Sequence, residues 1–168
     1  MKSNNKKAFT LIEVLISITL FTIIILFLYQ ALDITQKSNN FYSEKLEIKQ
    51  NENDLKKMFF LDFINKIDNK ITLESDKNKN TIIQFKSINI YHNPFYTYIT
   101  YLVSRESNLI RIESKSEFKS KNLSDDFFDS SYIDIIYNNI NKFKIEKKDN
   151  NIYIYIENKE KDRIYFSI

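Results

Sequence analysis

Lys6-Lys7-Ala8-Phe9-Thr10-Leu11-Ile12-Glu13-Val14-Leu15 opens a stretch in which no residue from Val14 to Leu32 is charged and Leu, Ile, Phe and Thr dominate. Extended back to Phe9, the segment runs 24 residues and is interrupted only by Glu13. At about 1.5 Å per helical residue, roughly 20 apolar residues cross the hydrocarbon core of a bilayer, so 9–32 is predicted to be a transmembrane helix. Lys2, Lys6 and Lys7 precede it and Asp33 follows it. That asymmetry predicts a cytoplasmic N-terminus, with the remainder of the chain on the far side of the membrane. A cleaved secretory signal fits less well, because its apolar region is shorter and ends at a small-residue site. A buried core helix fits poorly as well, since a stripe this apolar on every side leaves no solvent face.

Within this segment Glu13 is the informative residue. A carboxylate just inside an apolar span is costly unless it lies at headgroup depth or finds a partner, which leaves both a functional and a merely tolerated position open. The run from Lys6 to Leu15 resembles the processing and methylation signal of type IV prepilins and of the pseudopilins of type II secretion and competence systems. The resemblance implies cleavage between Ala8 and Phe9, N-methylation of Phe9, and an assembly role for Glu13, with Ala8 standing where the family usually has Gly. It implies a leader peptide at 1–8, and as partners a prepilin peptidase/methylase, other minor and major pilin-like subunits, an inner-membrane assembly platform and the lipid bilayer. It also implies a bacterial inner-membrane location, single-pass, with a periplasmic C-terminal domain and a place within a periplasmic filament.

Working outward, Ile34, Phe41, Ile48 and Leu55 recur every seven residues, and Leu55, Met58, Phe59, Phe63 and Ile67 then share one helical side, widened by Phe60, Leu61 and Ile64 as core positions. A helical continuation over 33–68 is therefore expected, with Asp68-Asn69-Lys70 as its stop and Ser38-Asn39-Asn40 as a place for a bend. From 69 to 168 the period shortens to that of strands, at Ile71–Glu74, Thr81–Lys86, Phe95–Val103, Leu109–Glu113, Tyr132–Tyr137, Lys142–Lys147, Ile152–Glu157 and Arg163–Ile168. Ile152, Ile154 and Ile156 face one way and Tyr153 and Tyr155 the other. The fold class is α+β: a long N-terminal helix, transmembrane in its first half, packed at its C-terminal end on an antiparallel β-sheet domain. The pilin-like resemblance implies the same layout. Tyr98-Ile99-Thr100-Tyr101-Leu102-Val103 followed by Asn108-Leu109-Ile110-Arg111-Ile112 resembles the middle of the J-type minor pseudopilins, and a minor subunit fits better than a major one.

Composition bounds the chemistry. The formal net charge of +3 is supplied by Lys2, Lys6 and Lys7, because beyond them basic and acidic side chains balance at 22 each. A general nucleic-acid binder therefore loses its electrostatic footprint and nucleic acid is not an expected partner, although Lys142, Lys144, Lys147 and Lys148 form a local run. With no cysteine there is no disulfide and no thiolate. With no glycine there is no Gly-rich phosphate loop, and Asn and Asp are expected to supply the left-handed turn positions. His92 is the one histidine, beside Asn93-Pro94, and reads as a loop residue without a role rather than a general base. Asp125, Asp126 and Asp129 read as a solvated acidic turn rather than a calcium site. No enzyme activity, cofactor or metal is expected. Three functions stay open: a minor pilin or pseudopilin acting in assembly or priming of a filament, a DNA-uptake (competence) or adhesin module whose surface is the lysine run, and a plain bitopic anchor. The exposed tyrosines Tyr153 and Tyr155 suit subunit contacts in the first.

Overall fold

The computed structural model describes residues 10–120, 125–149 and 151–168, leaving Ala8 and Phe9 outside the described residues. Helix α1 spans Leu11–Ile64, followed by β1 (Lys66–Ser75), β2 (Thr81–Ser87), β3 (Tyr98–Val103), β4 (Leu109–Ser114), the single turn α2 (Asp125–Asp129), β5 (Ser131–Tyr137), β6 (Ile140–Lys148), β7 (Asn151–Asn158) and β8 (Arg163–Ser167). The chain forms two units, 1–49 and 50–168, with the boundary inside α1.

The first unit contains the apolar part of α1, the one helix among the described residues long and apolar enough to cross a membrane, with a mean hydropathy of 2.8 over its best 18-residue window. Its serine and threonine hydroxyls between Leu11 and Leu32 are compatible with lipid because each is satisfied by its own helix. Ser17 Oγ donates to the Glu13 carbonyl at 2.7 Å, Thr19 Oγ1 to Ile16 and Thr22 Oγ1 to Ile18 at 2.8 Å each. Hydrogen bonds of this kind remove the cost of an unpaired polar group in hydrocarbon. Ile34 and Phe41 are exposed within this unit, as is Ile48.

In the second unit, α1 buries Leu55, Phe59, Asp62 and Phe63. The sheet β1-β2-β3-β4-β5 is an antiparallel meander, and β6-β7-β8 forms a second, three-stranded antiparallel sheet. One core joins them: Phe59 and Phe63 from the helix, Ile83, Phe85, Ile99 and Tyr101 from the large sheet, Phe143, Ile154 and Ile156 from the small one. Side chains of the large sheet also satisfy the backbone of the small one. The Phe143 N–H donates to Asn80 Oδ1 at 3.0 Å and the Ile145 N–H to Thr81 Oγ1 at 3.1 Å, so two buried edge donors of β6 are not left unpaired.

Besides the start of β3, which lies at Tyr98 where a strand from Phe95 was expected, three expectations need correction. The helix ends at Ile64, and Ile67 and Asp68 belong to β1, because Asn65 closes the last turn. Its Nδ2 donates to the Leu61 carbonyl at 2.8 Å, while its own carbonyl accepts from Ser87 Oγ and the Ile88 N–H at 3.1 Å each. Phe60 and Ile64 are exposed instead of buried, since at about 100° per residue each is turned about 100° from its neighbour Phe59 or Phe63, off the buried stripe. The third concerns turns. Five described residues have left-handed φ values, Lys79 (64°), Ser107 (65°), Asn139 (57°), Asp149 (55°) and Lys161 (69°), one in each connection from β1 to β2, β3 to β4, β5 to β6, β6 to β7 and β7 to β8. Only two are Asn or Asp. In the first and last of these turns the Asx residue sits at the start instead, and its side chain gathers the backbone. Asp76 Oδ1 accepts from the Asn78 and Asn80 N–H groups at 2.8 and 2.7 Å, and Asn158 Oδ1 accepts from the Asp162 N–H at 2.9 Å. Those bonds offset the roughly 1 kcal/mol or more that a left-handed non-glycine residue costs.

Candidate functional site

The N-terminal end of α1 is built by Thr10 and Glu13. The Thr10 N–H and Thr10 Oγ1 both donate to Glu13 Oε2 at 2.9 Å, and the Glu13 N–H approaches Thr10 Oγ1 at 3.4 Å. This is a capping box, in which a threonine and a glutamate three residues later satisfy each other's otherwise unpaired helix-end donors. Glu13 therefore carries a structural task as well as its charge. The spacing was visible in the sequence as Thr-x-x-Glu before an apolar run.

A second constellation is buried in unit 50–168 and ties α1 to the large sheet. Arg111 of β4, Glu113 of β4, Asp62 of α1 and Tyr101 of β3 are all 0 % exposed. Arg111 Nε donates to Asp62 Oδ2 at 2.8 Å and Nη2 to Asp62 Oδ1 at 3.2 Å, a fork matched to a carboxylate. Its Nη1 reaches Glu113, its Nη2 also donates to the Asn89 carbonyl at 2.8 Å, and the Tyr101 hydroxyl donates to Asp62. Glu113 in turn accepts the Tyr91 N–H at 2.7 Å and the His92 N–H at 3.0 Å, pinning the loop between β2 and β3. The Tyr91 ring lies 4.3 Å from the guanidinium carbon.

Burial works against the Arg111 charge, yet the hydrogen bonds and charge of Asp62 outweigh it and hold the guanidinium above its ordinary pKa. Burial first, and then the Asp62 carboxylate, push the Tyr101 phenol well above its usual value, keeping it a donor. With every member closed to solvent, the cluster can fasten a helix to a sheet but cannot meet a ligand. In the sequence Arg111 reads only as part of a strand, because its partners Asp62 and Asn89 lie 49 and 22 residues away. His92 is not without a partner: its Nε2 lies 2.9 Å from Asp134 Oδ2 and its ring stacks on Tyr132 at 4.7 Å, linking the same loop to β5. Asp126 and Asp129 lie on α2, and among the described residues no group of three or more His, Cys, Asp or Glu is placed to hold a metal ion.

The apolar helix with its capped carboxylate lies where the comparison with known families places a signal. Residues 3–29 match the family model of the prokaryotic N-terminal methylation motif. No curated protein and no solved structure matches the chain. The chain thus carries a type IV prepilin-like signal on an α+β fold of pilin-like layout. The motif indicates a type IV pilin/pseudopilin-like protein, and it implies processing by a prepilin peptidase and assembly with other pilin subunits.

Proposed function

We propose that this chain is a minor pilin or pseudopilin subunit, acting in the assembly or priming of a type II secretion or type IV pilus-like filament. The observation that carries the reading is the methylation motif continuous with an apolar helix that leads into a sheet domain. In this reading cleavage falls between Ala8 and Phe9, Phe9 becomes N-methylated, and the N-terminus is cytoplasmic with the β-rich domain in the periplasm. The β3–β4 hairpin, which pairs Tyr101 with Arg111, is compatible with a J-type subunit. The test is the mass and terminal sequence of the protein recovered from membranes of its own host. A chain beginning at N-methylated Phe9 supports the reading. One still beginning at Met1, in cells whose other prepilins are processed, overturns it.

Glu13 supplies the assembly chemistry. Once the leader is removed, the new amine of Phe9 on an incoming subunit pairs with the Glu13 carboxylate of a neighbour, relieving two charges that are costly in low dielectric. Glu13→Gln keeps one acceptor oxygen for Thr10 while removing the charge. It is expected to leave processing intact and to reduce co-purification with filament subunits at least tenfold in a pull-down from cross-linked cells. Unchanged co-assembly would remove Glu13 from the mechanism.

A further inference from the structure

Strand alternation sorts the lysine run in a way the linear sequence does not reveal. Lys142, Lys144 and Lys148 of β6 share one face of the small sheet with Tyr153 and Tyr155 of β7 and Tyr165 of β8, around a shallow concavity of about 530 Å³ that also includes Glu146. Lys147 leaves this group. It points away, close enough to Lys66 that, after burial, its charge is the next cause lowering the Lys66 ammonium below its ordinary value. The alternate residues Phe143, Ile145, Ile152, Ile154 and Ile156 fill the core beneath, so the backbone fixes which side the lysines and tyrosines take.

The registers interleave the two residue types. Lys144 opposes Tyr155, Glu146 opposes Tyr153, and Tyr155 opposes Tyr165. The rings of Tyr153 and Tyr165 lie nearly parallel at 6.3 Å, and Lys142 Nζ sits 5.9 Å from the Tyr155 centroid. None of the three lysines is ion-paired among the described residues, whereas the neighbouring Glu157 is engaged by Arg163 at 3.3 Å, Asn141 at 2.7 Å and the Tyr155 hydroxyl. The face thus presents three lysines against Glu146 and the already engaged Glu157, which Lys142 faces directly across the strands.

We infer that this lysine–tyrosine face of β6-β7-β8 is a binding site for single-stranded nucleic acid. Lysines on a strand edge neutralise backbone phosphates, and tyrosines beside them offer π-faces to unstacked bases, the combination by which single strands are held without sequence preference. A duplex is disfavoured because its bases are already stacked and hidden from the tyrosines. A stable protein interface is disfavoured because lysine is depleted from such interfaces even where tyrosine is enriched. Neutralisation of backbone phosphates by these lysines makes binding at the patch salt-dependent. The filament reading does not require this site, and either can fail without the other.

The test uses the full chain in phosphatidylcholine nanodiscs and a fluorescein-labelled dT20 oligonucleotide, followed by anisotropy. Three phosphates neutralised on a single strand give a log–log salt slope of about −2, or roughly a fifteenfold loss of affinity between about 50 and 200 mM salt. The triple variant Lys142→Gln/Lys144→Gln/Lys148→Gln is expected to flatten that slope, while Lys147→Gln leaves it unchanged. Tyr155→Ala or Tyr165→Ala is expected to weaken binding about five- to a hundredfold at the same slope. All these positions lie on the surface, and unchanged far-UV circular dichroism verifies the fold of each variant. Absence of dT20 binding at the lower salt, or equal loss in Lys147→Gln, overturns the inference. Tighter binding to alginate, or to vesicles containing phosphatidylglycerol, also overturns it, in favour of an acidic polysaccharide or a lipid surface.

Discussion

Arg111→Met is expected to lose about 3–5 kcal/mol of stability, because it strands Asp62 and Glu113 as buried carboxylates with no cation between them. Both are 0 % exposed, so water cannot replace the guanidinium without opening the packing of α1 on the sheet. The loop that carries Asn89, Tyr91 and His92 loosens at the same time, since Arg111 holds the Asn89 carbonyl and the Tyr91 ring directly. Arg111→Lys is expected to fall between, keeping the charge but losing the two-pronged contact with Asp62. The triple variant Asp62→Asn/Arg111→Met/Glu113→Gln is expected to recover part of the loss, because it removes the stranded charges along with their partner. Urea denaturation followed by near-UV tyrosine circular dichroism measures all three. A loss under about 1 kcal/mol for Arg111→Met would mean that the cluster is solvated in practice and that the helix is held by apolar contacts alone.

The strands were legible in the sequence because their alternation is a local property: Ile152, Ile154 and Ile156 are buried and Tyr153 and Tyr155 are partly open, as period two requires. The N-terminal signal was legible for a similar reason, being contiguous. The end of α1 was not, since Ile67 continues the spacing of Phe59 and Phe63 and nothing local shows that the Asn65 carbonyl will be claimed by Ser87 and Ile88, more than twenty residues on. The charged cluster was hidden for the same reason of distance, with Asp62 and Arg111 forty-nine residues apart. Two local signs nevertheless existed. Asp62 stands in the middle of a stripe made by Leu55, Phe59 and Phe63, and Arg111 and Glu113 share a side of β4, a strand buried at every position. A charge on a core face predicts a partner across the core. The lysine–tyrosine face shows the converse, since the residues were visible singly and only the register of three strands makes them one surface.

Phe59→Ala is the second large effect expected, at about 3–5 kcal/mol, the usual cost of truncating a buried aromatic residue. Phe59 has no exposed surface and stands where three elements meet. Its ring stacks on Tyr101 of β3 at 4.3 Å, and the rings of Phe143 of β6 and Phe166 of β8 lie 6.4 and 5.8 Å away. A cavity there is bounded by both sheets, so neither can close it without leaving the other. Phe59→Leu retains most of the volume and is expected to cost about 1–2 kcal/mol, the difference being the unfilled space and the lost ring contacts. Because the helix residue is shared, the two sheets are expected to lose stability together: hydrogen exchange of the amides in β4 and in β7 should accelerate by the same factor in Phe59→Ala. If β7 kept its protection while β4 lost it, the small sheet would be an independent folding unit, and the side chains of Asn80 and Thr81 would be its principal attachment rather than the shared aromatic core.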